Sequence, residues 1–549
     1  MQRLLPILLF LRATLASSCD TEPSVLPIRD VRVLPGNRQS LMRGISAQVG
    51  TPPQNIVLLP WAELNNTIIY NNEPYCKNDT MYSEESCIVE RGGLFNEQDS
   101  TSYTEADTLI EAGGATTETT FKGSVYGIKN LPSRSIGAID TLKLEGAAEL
   151  PNFPFGIPTS NWDTSHTTLS ALGLGRNSTY LNALRKAEKI TSRVWSIFWG
   201  IFGDENPIDG SLILGGYDEM KVMGDNYTAP LVYDHFDGSQ GCWTGMRVTV
   251  TDIKVNFAGG TNTSIFPSGT ALHCCIDPAH HLLMEAPMDH IENFKSIADI
   301  DGTHSTTDLH WMALQPSIRK QFTGDLTFYL ESGLEIRVPN NQFVFPETEI
   351  DKDGSRVQNL TRQNILINSV EDEAPILGRY FLTAAYLMVN QDAGTFTLWK
   401  ANATEEGKPV RVFDRETGDK CDDTASGVIQ PSASPTGSTP GSDDQETTKN
   451  NRPSGPVIGG AVAGSVTGAA LIALGVYYVL RRHKKEPSRL TTEQPCSIKL
   501  TRGQKTRIII TPHMKICRDP MFMRWIVVHG WFRRTGRQMF FDRLTERYR

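Results

Sequence analysis

From about residue 25 to 413 the chain breaks into short apolar or alternating runs separated by Gly, Asn, Asp and Pro, the pattern of many short strands joined by turns. "GSLILGGYD" (210–218), "RVTVTDIKV" (247–255) and "GTFTLWKA" (394–401) are runs of this kind. Helical spacing predicts helix only around "STYLNALRKAEKI" (178–190) and "DPAHHLLMEAPMDHIENF" (277–294). The pattern therefore predicts a mainly β domain.

The pattern changes on both flanks. Residues 1–18, "MQRLLPILLFLRATLASS", have a basic residue, an apolar run and a small-residue end, as a cleavable signal peptide does. Residues 421–455 are rich in Ser, Thr, Pro, Gly and Asp and cannot bury a core, which predicts an extended stalk. Residues 456–480, "PVIGGAVAGSVTGAALIALGVYYVL", carry no charge and are followed by "RRHKK", which predicts one membrane-spanning helix with the tail 481–549 in the cytoplasm. Gly460, Gly464 and Gly468 share a helix face that would let a second copy approach closely and form a transmembrane homodimer.

Length and charge fit this organisation. With 549 residues the chain exceeds a single core, so a two-lobed domain plus accessory segments is expected. Residues 481–549 hold 18 Lys and Arg against 5 Asp and Glu, net +13, which leaves −22 for residues 1–480 of the whole chain's −9. A basic tail beside an anionic leaflet adsorbs to it. Nucleic acid is the weaker reading, since a tethered tail has little access to it. Within the tail, "MFMRWIVVHGWFRR" (521–534) is too short to span and suits a membrane surface, or else marks an unspliced intron read through.

Sequons start at Asn65, Asn78, Asn177, Asn226, Asn262, Asn359 and Asn402, all before the membrane segment, which suits a glycosylated ectodomain at the plasma membrane. Cys496 and Cys517 would face a reducing cytosol. Outside are Cys19, Cys76, Cys87, Cys242, Cys274, Cys275 and Cys421; the number is odd, so one thiol is spare or Cys19 leaves with the leader. His280 and His281, with His273 and His290 nearby, repeat no metal-ligand spacing, and neither a metal nor another cofactor is expected.

Several fragments occur in a telling order: "AQVGTPPQ" (47–54), "LFNEQDSTSY" (94–103), "SALGLG" (170–175), "GSLILGGYD" (210–218), "SGLEIRVPNNQFVFP" (332–346) and "APILGRYFLTAAYLMVNQDAGTFTLWKA" (374–401). Together they resemble the pepsin-like aspartic proteases, and in particular the fungal cell-surface members tethered at their C-terminus. The likeness implies an all-β, bilobal pepsin-like fold over residues 25–413, with the N-lobe running to about 215 and each lobe donating one Asp-Thr/Ser-Gly loop to a cleft. It also implies a disulfide between Cys76 and Cys87. Cys242, Cys274, Cys275 and Cys421 allow three pairings, of which a bond between adjacent Cys274 and Cys275 is disfavoured by diverging side chains.

The family's spacing places the first catalytic triplet on Trp61-Ala62-Glu63. In the second half, "SIFPSGTALHCC" (264–275) has the outline of the other loop, with Ser268, Gly269 and Thr270 kept and Pro267 at the acid position. Both carboxylates then appear lost, and neither an indole N–H nor a proline ring exchanges a proton near neutral pH. Glu63 alone gives no pair. Tyr126 in "VYGIKN" is the counterpart of the flap tyrosine. Arg379 and Asn390 stand where the family often has Asp.

The expectation from sequence is a catalytically inactive homologue that binds a peptide, protein or wall polymer at the cell surface. An active membrane-anchored aspartic endopeptidase that processes surface proteins and a structural or adhesive glycoprotein are the alternatives.

Overall fold

Alternation of buried and solvent-facing side chains, as in Leu41–Val49 and Arg247–Asn256, lets each strand cover a core with one face. The computed structural model describes residues 20–421 apart from 72–75, 77–82, 117–134, 160–168, 204–205, 234–241, 268, 305–308, 318–320, 371–373, 416–417 and 419–420. The expected leader, stalk, membrane segment and tail, together with Tyr126, Asn78 and Ser268, lie outside the described residues. Among the described residues no helix is long and apolar enough to cross a membrane.

These residues are mostly β, consistent with the pepsin-like fold. The largest sheet has twelve strands. From the edge strand Val222–Pro230 it runs through Thr395–Ala401, Ala385–Asn390, Val194–Ile201, Ile208–Leu214 and Ser24–Arg32, so strands from both ends of the described residues share one floor. From there it continues into the N-lobe through Leu41–Val49, Gln54–Trp61 and Ser170–Gly173. The C-lobe holds an eight-stranded sheet, with Arg247–Asn256 between Leu272–Ile276 and Asp325–Leu330, and a separate four-stranded sheet.

Helix Thr179–Lys186 lies where its spacing predicts, capped by the Ser178 hydroxyl on the Leu181 N–H. The other expected helix is displaced. Only Met288–Ala298 is helical; Met284–Pro287 is a strand paired with Ile367–Val370 and Ile376–Leu377, and residues 277–283 form a loop. Pro278 and Pro287 explain this, because neither can donate an interior helical hydrogen bond. Helix Glu84–Glu90, too short to show a period, went unpredicted; Ser83 caps it.

The two lobes repeat one device. In the N-lobe, Gln54–Trp61 runs parallel to Ser170–Gly173, with Trp61 opposite Gly173. In the C-lobe, Leu272–Ile276 runs parallel to Ile376–Leu377, and the Asp277 N–H donates to the Leu377 carbonyl at 2.9 Å, which brings Asp277 alongside Gly378. Both glycines sit under a carbonyl, five positions beyond Trp61 in one lobe and five beyond Asp277 in the other: a Cβ on Gly173 would lie 2.5 Å from Asn66 O, and one on Gly378 2.1 Å from Leu282 O. No Cβ fits either place.

A C-lobe hairpin, Val344–Ile350 with Arg356–Ile365, reaches across to the N-lobe. Its tip packs Gly354 against Leu34 and Val89, and Arg356 grips Asp30 with two hydrogen bonds, at 3.0 and 2.5 Å.

Cys76 and Cys87 are joined, as the resemblance implied. Cys242 pairs with Cys275, Cys274 is a free buried thiol, and Cys421 is also disulfide-bonded, with a partner outside the described residues. The four C-lobe cysteines therefore do not form two bridges among themselves.

Gly378→Ala is expected to lower unfolding stability by about 1–3 kcal/mol, the usual cost of overpacking, as read by urea denaturation. Wild-type stability in that variant would contradict the packing described.

Candidate functional site

The repeat of strand, glycine and overlying carbonyl makes Asp277 the two-fold mate of Trp61. This corrects the sequence assignment of Pro267. Pro267 lies in the turn between strands Asn262–Ser264 and Leu272–Ile276, its carbonyl accepting from the Thr270 hydroxyl at 2.8 Å, and Gly269 and Thr270 are exposed. That turn joins two strands that both pair with Arg247–Asn256, and it lies before the strand whose end faces Gly378. Asp277 stands inside "CCIDPAHHLL", followed by Pro278.

Trp61 is 5% exposed and ends its strand with an indole at the matching place. Ala62 beside it is buried, and so is Glu63, whose Oε2 has no hydrogen-bond partner among the described residues. Burial pushes the Glu63 carboxyl well above the usual carboxylate range, and the charge of Asp277 pushes it further, while the Trp61 indole works the other way. Asp277 is pushed up to about 6 by burial, against the Ala279 N–H, the Arg379 guanidinium and the His280 N–H, all of which favour its ionised form. Glu63 is therefore not alone. The N-lobe and the C-lobe each supply one buried carboxyl, and each resists ionisation.

Arg379 holds the Asp277 turn. Its Nη2 donates to Ala279 O at 2.9 Å and its Nε to His280 O at 3.1 Å, while its guanidinium lies 5.4 Å from the centre of the Trp199 ring. Trp199 belongs to the shared floor, so Arg379 ties the acid turn to the sheet that joins the lobes. Arg379 is thus a structural element of the site. Asn390, the other altered position, closes a turn by accepting from the Asp392 and Ala393 N–H groups.

Around Arg379 the aromatic rings of Phe202, Phe345, Tyr380 and His310 pack with centroids 5.0 to 5.8 Å apart. His310 Nε2 and the Tyr380 hydroxyl are hydrogen-bonded at 2.8 Å. Burial, with the Arg379 and Arg356 charges, lowers His310 to about 3, so it stays neutral. Burial likewise raises Tyr380 to about 12. At Asp30 burial alone would raise the pKa, but the Arg356 ion pair and the Arg43 charge outweigh it and hold the carboxyl low. Neither His310 nor Arg43 stood out in the sequence, because their role depends on neighbours distant along the chain.

His280 lies 3.9 Å from Glu285, which accepts from Asn368, and His281 bonds the Trp311 carbonyl at 2.6 Å. Both histidines are buried in the loop behind Asp277. Asn65 is buried too, and its Oδ1 accepts from the Asn177 N–H at 2.8 Å. Asn226, Asn262 and Asn359 are exposed.

The model of the eukaryotic aspartyl protease family matches residues 164–401, which include Asp277 and Arg379 but begin after Trp61 and Glu63. No curated protein matches the chain.

Because both carboxyls have raised pKa values in the fold, they bind protons that the unfolded chain has already released above about pH 4. Ionisation therefore removes stability as pH rises from about 4 through 6 and beyond, and for Asp277 a shift from 3.8 to about 6 corresponds to roughly 3 kcal/mol. Glu63→Gln is expected to be more stable than wild type at pH 7, with the difference vanishing below pH 4. Equal pH dependence of the two proteins in chemical denaturation would contradict a buried Glu63.

Proposed function

We propose that this chain is a non-catalytic homologue of the aspartic proteases, held at the plasma membrane by residues 456–480, whose ectodomain binds a peptide, protein or wall polymer. The observation that carries the reading is Trp61. The family's chemistry uses two carboxyls about 3 Å apart to share a proton and activate water. Here one of the two matching strand ends carries a buried indole, which accepts no proton. Ala62 and Pro278, the residues next to the two strand ends, also lack the hydroxyls of the family triplets.

The Glu63–Asp277 pair favours a second reading, an endopeptidase that has moved its N-lobe acid by two positions. One protonated and one ionised carboxyl at acid pH would supply the needed acid and base.

One assay separates the two. Full-length protein in detergent is incubated with a broad peptide library from pH 3 to 7, with and without a transition-state-mimicking aspartic-protease inhibitor. The expected outcome is no inhibitor-sensitive cleavage, and no difference between wild type and Asp277→Asn. Cleavage that falls at least 100-fold in both Asp277→Asn and Glu63→Gln would establish the second reading instead.

A further inference from the structure

Away from the carboxyls, the N-lobe carries a groove of about 820 Å³ between residues 113–116, the strand start at 150–154 and helix Thr179–Lys186. This lies within the range of ligand sites, roughly 300–1,000 Å³. Neither acid loop lines it, so what fills it is a question independent of the carboxyl pair.

Asn182, Ala183 and Lys186 line the groove and fall three and four apart, so they share one helix face, while Tyr180, Leu181 and Leu184 are buried on the other. Leu150, Pro151 and Pro154 add apolar surface. Lys186 is exposed, is the single charged lining residue and has no acidic partner among the described residues. An apolar groove with one free cation suits an extended segment that brings aliphatic side chains and a carboxylate but no cation of its own.

The chain delivers such a segment to this helix. The Val412 carbonyl accepts from the Thr191 hydroxyl at 3.0 Å and from the Ser192 hydroxyl, and Arg185, next to Lys186, holds Asp414 through Nε at 3.0 Å and Nη2 at 2.6 Å. Cys421, seven residues further on, is buried and disulfide-bonded, which anchors the point where the Ser/Thr/Pro-rich stalk begins. Asp422 and Asp423 follow, then Val428 and Ile429, the only large aliphatic residues between Cys421 and Gly455, and no Lys or Arg occurs before Lys449. A polar stalk has no use for that aliphatic pair unless something covers it.

We propose that the groove is the dock for the base of this stalk: residues 422–431 fold back on the N-lobe, with Val428 and Ile429 against the apolar wall and the Asp422 and Asp423 carboxylates toward Lys186. The reach closes. Whatever distance the seven residues from Asp414 to Cys421 cover, the seven from Cys421 to Val428 can cover in return, up to about 25 Å each way. Tethering also puts the segment at an effective concentration of millimolar order, so an intrinsic Kd of about 0.1 mM keeps roughly nine in ten copies docked. A seated stalk closes the groove to other ligands and shortens the free spacer to residues 432–455.

The test is hydrogen exchange on the full chain in detergent, comparing wild type, the double variant Val428→Ser/Ile429→Ser, and Lys186→Glu. Exchange in 150–154 and 182–187 is expected to be at least threefold faster in the double variant and faster by a smaller factor in Lys186→Glu, with Ser170–Gly173 unchanged in both. A synthetic peptide of residues 422–437, added at about 1 mM to match the tether, restores the slow exchange of the double variant. Equal groove exchange in wild type and the double variant would overturn the proposal, as would faster exchange that the peptide does not reverse. Protection that grows with protein concentration would assign the groove to a second copy and overturn it as well. These variants leave Glu63 and Asp277 untouched, so no outcome bears on peptidase activity.

Discussion

The buried guanidinium of Arg379 is the constraint on which the cleft floor depends. A cation fully removed from water is tolerated only where carbonyls, aromatic faces and an opposing charge replace its hydration. Arg379 has all three: the Ala279 and His280 carbonyls, the Trp199 ring, and Asp277. In supplying them the chain fixes the Asp277 turn against Gly378 on one side and the shared sheet on the other. The Asp30–Arg356 pair and the Phe202–Phe345–Tyr380 stack then hold the lobes around the same point. Rigidity at this junction comes from a polar network enclosed by aromatic packing, where each group's desolvation is offset only if its partners stay in place.

This network also explains why two acids coexist in the floor. Asp277 is kept from a still higher pKa by Arg379 and two backbone N–H groups, whereas Glu63 has only the Trp61 indole to ease its ionisation. Both carboxyls are pushed toward the protonated form, and Asp277 is the one with an opposing cation and backbone N–H groups that favour its ionised form. The asymmetry differs in kind from a symmetric dyad, because the two acids stand at non-equivalent positions of the two-fold repeat.

Much of the fold was legible in the sequence because it is carried by local pattern. Strands such as Arg247–Asn256 announce themselves by alternation, and "SALG" and "PILG" each end in the glycine that a crossing carbonyl demands. The N-lobe strand end was legible as well, since "GTPPQ" fixes the count to Trp61. The C-lobe counterpart was not, because two stretches compete. "FPSGTAL" keeps the small residues without the acid, while "IDPAHHLL" keeps the acid without the small residues, and only the parallel pairing of Leu272–Ile276 with Ile376–Leu377 decides between them. The helix expected from residue 277 failed for the same reason. Its apolar residues serve a loop and a strand whose partners lie about ninety positions away.

The central claim is that Glu63 and Asp277 form one buried, interacting pair across the floor, with Trp61 at the N-lobe strand end that matches Asp277. Carbon-13 NMR titration of the side-chain carboxyls, in wild type and Asp277→Asn, tests it most directly. The account predicts that Glu63 remains protonated well above the usual carboxylate range and moves down when the Asp277 charge is removed. A Glu63 carboxyl that titrates near 4.3, the ordinary value, and is indifferent to Asp277→Asn would contradict it.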